Sequence, residues 1–375
     1  MFQVFLYQLP VKTRKLKLWT HATVDVPEEE GFYTVTWCLD HQDTAKKHKI
    51  VCGGEAGVLY VINGSSLEVE RSLIGHNKAI MDVRTNPVNP SLVVTASKDK
   101  SVRIYHIRQE YALLILGFRG GHTDTVVSAD WSPNATSIIS GGFSHKIIIW
   151  DLELPEVANH LKECLTKIDA GQELQSLVRD VDAADRLCSG VTPFDLDGYT
   201  LIASLPSDVI RDVHLDCVDC IRTLELDGRE YIISKATGAE KGLTLWRTGL
   251  LDPNGEQQQE GGINRTFVQF WFKEIDHWQS YFSKFAIDPL REWVAATTSE
   301  GTVNFYKLFE NHETTASLSV QVCEDQAHEV SFSTNGQILL AVGANGVVAR
   351  FDRNLEPNQP ESTSSQQGTS AARAS

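Results

Sequence analysis

One sentence pattern is written twice between Gly75 and Leu152, and it constrains the fold more than any other feature of the chain. The first copy, GHNKAIMDVRTNPVNPSLVVTASKDKSVRIYHI, starts at Gly75, and the second, GHTDTVVSADWSPNATSIISGGFSHKIIIWDL, starts at Gly121. Each opens with Gly-His and places a proline twelve residues after that glycine (Pro87, Pro133). A β-branched run, a small polar turn and a second alternating run follow, closing on an aromatic, Tyr105 or Trp150. Self-similarity at a period of about 40 to 45 residues, with Gly-His at one end and Trp-Asp at the other, is the pattern of a β-propeller blade. Such a blade is a four-stranded antiparallel sheet that buries both faces only by stacking on its neighbours.

Alternating runs that end at the closing-aromatic position fall near Tyr7, Ile62, Tyr105, Trp150, Trp246, Tyr306 and Phe351. They predict an all-β, seven-bladed WD-repeat β-propeller over residues 1–352. The long interval between Trp150 and Trp246 predicts an insertion over about residues 153–210. Within it, PEVANHLKECLTKI sets Val157, Leu161, Leu165 and Ile168 on one helical face, so a helix packed on the propeller rim is expected. VFLY near the start reads as the third strand of blade one, with no inner strands before it. An incomplete first blade follows, and with it a ring less stable than one extended at the N-terminus. The final residues, 353–375, lack apolar anchors and read as a disordered polar tail.

The formal net charge of -15 argues against non-specific DNA or anionic membrane binding, because phosphate contacts need a basic surface. The same charge suits a basic partner. MFQVFLYQLPVKTRKLKLW does not read as a signal peptide, and no run of apolar residues is long enough to span a bilayer, so a soluble intracellular protein is expected. Seven scattered cysteines fit thiols in a reducing compartment. Cys217 and Cys220 form a CxxC without the helix start of a redox motif or the second pair of a zinc site, so both read as strand thiols.

In propeller blades the Gly-His histidine, a Ser or Thr of the second strand, the Asp of the next turn and the closing aromatic form a buried hydrogen-bond chain. His76, Ser97, Asp99 and Tyr105 stand at those positions. A Ser-His-Asp set also suggests a hydrolase triad, but the repeat explains the spacing without catalysis. In the next blade His122 and Trp150 remain while Gly142 and Ser144 replace the polar partners, which predicts that this blade lacks the chain. No Gly-rich phosphate loop, HExxH or GxSxG is present, so the expectation is a protein that is not an enzyme and uses no metal or cofactor.

EEGFYTVTW, the pair SKDKSVRIYHI and GGHTDTVVSADW, and above all PSDVIRDVHLDCVDCIRTL resemble the EED or extra sex combs family, the WD-repeat subunit of Polycomb repressive complex 2. The resemblance runs from about the chain start to Asp352 and includes the helical insertion. It implies a non-catalytic nuclear scaffold in a repressive histone methyltransferase complex, with other Polycomb subunits as partners. One propeller mouth would hold a trimethylated histone lysine in an aromatic cage, and the other would hold a helix of the SET-domain methyltransferase. Carried over residue by residue, the cage positions are Tyr33, Tyr281 and Phe282. The family has Trp-Tyr where this chain has Tyr-Phe, and its remaining cage phenylalanine, on the inner strand of blade one, has no counterpart here. A generic WD-repeat adaptor, such as a ubiquitin-ligase substrate receptor, is the alternative, since fold alone does not decide function.

Overall fold

Six sheets, five of them wholly antiparallel, and one two-stranded ribbon build the computed structural model, which describes residues 2–9, 16–24, 26, 30–42, 48–174, 200–204, 206–211, 213–237, 243–247, 267–271, 283–308 and 318–353. The ribbon pairs β1 (Phe2–Gln8) with β2 (Lys17–Val24). Blade two is β3 (Phe32–Leu39), β4 (His48–Gly54), β5 (Leu59–Asn63) and β6 (Val69–Leu73). Blade three is β7 (Ile80–Thr85), β8 (Leu92–Ser97), β9 (Val102–His106) and β10 (Leu114–Leu116). Blade four starts with β11 (Val126–Trp131), β12 (Ser137–Gly142) and β13 (Ile147–Asp151). After it come helix α1 (Pro155–Asp169) and two short strands, β14 (Leu201–Ala203) and β15 (Asp208–Ile210).

Blade five is β16 (Val218–Leu226), β17 (Arg229–Ala236), β18 (Leu243–Arg247) and β19 (Phe267–Trp271). Blade six is β20 (Phe285–Ile287), β21 (Trp293–Thr297), β22 (Thr302–Lys307) and β23 (Leu318–Gln321). Blade seven is β24 (Ala327–Phe332), β25 (Ile338–Gly343) and β26 (Val348–Asp352). The seven predicted run ends lie on β1, β5, β9, β13, β18, β22 and β26. In blades two to seven these are the third strands, so the period read from the repeats holds around the ring.

Alternation along each strand explains the stacking. On β8, Val93 faces blade two in a cluster with Val51, Leu59 and Tyr105, while Leu92, Val94 and Ala96 face blade four against Trp131 and Ile148. A strand buried on both faces carries apolar side chains toward each neighbour, as LVVTA does with Thr95 its one polar residue. The first strands of successive blades are stitched by side chains: Thr34 Oγ1 accepts the Val83 amide at 3.1 Å, Trp131 Nε1 donates to the Arg84 carbonyl at 3.1 Å, and Ser128 Oγ accepts the Ile221 amide at 3.1 Å. Lys284 continues the series, donating to the Asp219 carbonyl at 2.9 Å.

Helix α1 begins on a proline at its first turn, where the missing N–H costs nothing. Val157, Cys164 and Ile168 are buried, and Leu161 and Leu165 pack against the same cluster, which includes Leu113 and Trp150. The predicted face is therefore the one that meets the rim. The chain then returns in a way the pattern did not announce. Strand β14 adds parallel to β10, Leu201 opposite Leu114, before β15 closes blade four against β13. Of the predicted tail, 353–375, Arg353 is ordered, its amide donating to the Gln337 carbonyl at 2.8 Å and its guanidinium 2.9 Å from Asp288, because it still pairs with blade residues; residues 354–375 lie outside the described residues.

The two-stranded ribbon packs on blade two. Leu6 and Val24 of the ribbon pack with Ile50, Cys52, Tyr60 and Ile62 of blade two. Strand β3, on the inner side, stays open on the corresponding face: Tyr33, Val35 and Trp37 are 49%, 65% and 54% exposed.

Candidate ligand-recognition site

A β-bulge recurs at one place in five first strands, between Phe32 and Thr34, Ile80 and Asp82, Val126 and Ser128, Val218 and Cys220, and Ala327 and Glu329. A bulge re-aims the extra side chain relative to the pleat. The bulged residues are Tyr33, Met81, Val127, Asp219 and His328. Met81, Val127 and Asp219 are buried, whereas Tyr33 and His328 are exposed at this mouth. The bulge of GFYTVTW, together with the open face of β3, sets an aromatic ring at the rim.

Around that ring stand groups from two blades. The Tyr33 hydroxyl donates to Glu55 Oε2, and Lys98 Nζ lies 5.8 Å from the ring centroid. Lys98 Nζ is also 3.7 Å from Glu55 Oε2. The hydrogen bond to Glu55 chiefly, with burial and the charges of Glu55 and Glu30, pushes the Tyr33 phenol up to about 12. Glu30 is itself buried and accepts the Gly31 and Ala56 amides. The ring thus sits in a negative field, suited to a cation.

Tyr281 and Phe282 lie outside the described residues, but Ser283, next in sequence, is anchored. Its carbonyl accepts Lys235 Nζ at 2.5 Å and its hydroxyl accepts Gln326 Nε2 at 3.0 Å. Lys235 pairs in turn with the bulged Asp219 at 2.5 Å, both side chains fully buried.

The first strands end at the opposite mouth, around a cavity of about 320 Å³. Pro87, Trp131, Pro133, Leu224, Ile287 and Pro289 line it, with Asp130, Glu225 and Asp288 among them. Burial, only partly offset by Arg84, raises the Asp130 carboxyl to about 6.

The histidine chains correct two expectations. His76 Nδ1 lies 2.7 Å from Asp99, as the repeat implied, but Nε2 is 2.7 Å from Thr95 and not from Ser97. Thr95 and Ser97 share a face of β8, and register places the threonine under the ring. Ser97 instead ties the turn, donating to the Ala79 carbonyl at 2.9 Å and accepting the Asp99 amide at 3.1 Å. Tyr105 packs its ring 6.1 Å from that of His76. Gly75 has φ +138°, and a Cβ there would come within 2.7 Å of Arg103, so the glycine of Gly-His is required by backbone conformation and space together. Burial works to raise Asp99, but His76, Arg103 and Ser101 outweigh it and hold its carboxyl far below the usual range.

Blade four was expected to lack such a chain, and it has one. His122 Nδ1 lies 2.7 Å from Ser144 and Nε2 lies 2.9 Å from Ser140, to which Trp150 Nε1 donates at 3.0 Å. A serine hydroxyl accepts and donates, so it replaces the aspartate without a charge. Blade five repeats the unit unannounced by any Gly-His: His214 Nε2 is 2.7 Å from Ser234, which accepts Trp246 Nε1 at 2.8 Å. Cys217 and Cys220 are buried at the start of β16, and burial pushes the Cys220 thiol up to about 12, far from a reactive thiolate.

Comparison with known proteins agrees with this architecture. A WD domain, G-beta repeat model matches residues 67–106 and 115–151. The Polycomb protein mes-6 of Caenorhabditis elegans is 32% identical, the match covering 93% of this chain and 83% of that protein. The Polycomb protein esc of Drosophila melanogaster is 26% identical over 89% of this chain and 72% of its own length. In fold, the chain resembles one from Chaetomium thermophilum Polycomb Repressive Complex 2 bound to GSK126, with a TM-score of 0.69 and 14% identity over 94% of this chain and 89% of that one. A relative this similar over nearly the whole length carries the RDVHLDCVDCIR resemblance to its conclusion: the chain belongs to the Polycomb family of WD-repeat proteins that contains mes-6 and esc.

Proposed function

We propose that this protein is the non-catalytic scaffold and histone-tail-reading subunit of a Polycomb-type repressive histone methyltransferase complex, acting in the nucleus to support trimethylation of a histone lysine. The observation that carries the reading is the 32% identity to mes-6 across 93% of the chain. A related fold, at TM-score 0.67, comes from a Polycomb Repressive Complex 2 structure described as in complex with H3K27me3 and H3K27M.

Tyr33, with Tyr281 and Phe282, forms the proposed reading site. A trimethylammonium has no hydrogen to donate, so it is bound by desolvation against electron-rich ring faces, each worth about 0.5 to 2 kcal/mol. The anchors on Ser283 fix the base of the segment carrying the second and third rings. A chain of net charge -15 draws in a Lys- and Arg-rich tail before any cage contact is made.

The cavity at the far mouth is the proposed seat of a helix from the SET-domain methyltransferase. Apolar groups such as Pro133, Leu224 and Ile287 suit i, i+3, i+4 anchors, and the carboxylates beside them suit basic residues on the helix flanks. Reconstitution with a purified SET-domain subunit tests both sites. Omitting this chain should abolish methyltransferase activity, while Tyr33→Ala should remove only the stimulation by trimethylated tails. Full basal activity without the chain would overturn the scaffold role.

A further inference from the structure

The ring face of Tyr33 already carries a cation. Lys98 Nζ lies 5.8 Å from its centroid and 3.7 Å from the Glu55 carboxylate oxygen that accepts the Tyr33 hydroxyl. Lys98 is no loose surface lysine: its amide donates to the Ala79 carbonyl at 2.9 Å, and the next residue, Asp99, is locked to His76 at 2.7 Å. A rigid turn of blade three therefore presents this ammonium to a ring on blade two.

We propose that Lys98, by neutralising Glu55 beside the ring, sets the methylation-state specificity of the Tyr33 site. The inference rests on the reading of Tyr33 as part of a methyl-lysine site. An unmodified lysine is a strongly hydrated ammonium that finds the carboxylate already held by another, so it gains little from Glu55. A trimethylammonium is more weakly hydrated and makes its main contact with the ring, so it gains where the lysine does not. Without Lys98, the free carboxylate would favour guests that still carry N–H donors. Discrimination is thus achieved by penalising the wrong guest as well as by attracting the right one.

Calorimetric titration of the full chain decides this, using two Lys/Arg-rich peptides identical except for trimethylation of one central lysine. Lys98→Met removes the charge at nearly constant shape. It should free the Glu55 carboxylate and tighten binding of the unmodified peptide about two- to fivefold, the equivalent of an exposed ion pair, and tighten the trimethylated peptide less, so that the preference narrows. Lys98→Arg keeps the charge and should keep the preference. With its side chain 41% exposed, Lys98 tolerates both changes, and thermal melts confirm folding. If Tyr33→Ala weakens trimethylated-peptide binding but Lys98→Met leaves the preference unchanged or wider, the specificity role of Lys98 is overturned and the cage stands. If Tyr33→Ala binds as the parent does, the cage reading itself falls, and the role of Lys98 with it.

Discussion

Ser140 accepts the indole N–H of Trp150 at 3.0 Å. The same hydroxyl lies 2.9 Å from His122 Nε2, so one small side chain satisfies two buried rings, one on the turn before β11 and one on β13. Ser140→Ala strands both and should cost about 2 kcal/mol or more, whereas Ser97→Ala, which loosens a turn, should cost about 1 kcal/mol. Denaturant melts of the two variants measure the difference. Equal costs would mean that the His-Ser-Trp unit is no more than a packing contact.

Acid should unfold the protein through its buried histidines. Burial, with Lys146 nearby, pushes His122 down to about 3, and burial pushes His106 down to about 4. The unfolded chain takes up these protons below about pH 6.5 while the folded one does not. Stability from each is therefore complete above that pH and is lost as pH falls toward the folded value. For His122 the loss is about 2 kcal/mol between pH 7 and pH 5. Asp130, raised to about 6, works in the opposite sense over part of this range. His122→Gln isolates the contribution: less stable at pH 7, the variant should lose about 2 kcal/mol less than the parent on reaching pH 5. Parallel stability curves would contradict it.

The buried pair of Lys235 and Asp219 invites a double-mutant cycle. Lys235→Met leaves a carboxylate without its cation in a dry site and should cost about 3 to 5 kcal/mol. Adding Asp219→Leu should recover much of that loss, because breaking one half of such a pair is worse than removing both. The double variant still lacks the bond to the Ser283 carbonyl, so its trimethyl-peptide affinity should stay low after its stability returns. Recovery of both together would separate Ser283 from the reading site.

At the other mouth, Ile287→Asp places a charge in the apolar part of the cavity. Retention of the SET-domain subunit on immobilised protein should fall at least tenfold, while titration with the trimethylated peptide should be unchanged. Loss of both at once would show that the substitution had damaged the ring, and loss of neither would move the enzyme to another face.

Most of the architecture was already legible in the chain. Two Gly-His repeats, third-strand endings from Tyr7 to Phe351 and the helical face of Val157, Leu161, Leu165 and Ile168 all depend on periods of two or 3.6 residues. Those periods are local, so a linear reading recovers them. Hydrogen-bond partners are a different matter. Thr95 and Ser97 occupy the same face of β8, and only the register of blade three against its own Gly-His turn puts the threonine under His76. Ser140 matches the expected residue type but stands two residues before Gly142, where the partner is expected, and Ser144 stands where an aspartate is expected, yet packing delivers both hydroxyls to His122. The exposure of Tyr33, and the meeting of Glu55 from blade two with Lys98 from blade three, depend on how blades stack. Such contacts join residues on different strands or different blades, so it is strand register and the stacking of blades, and no local pattern, that decide them.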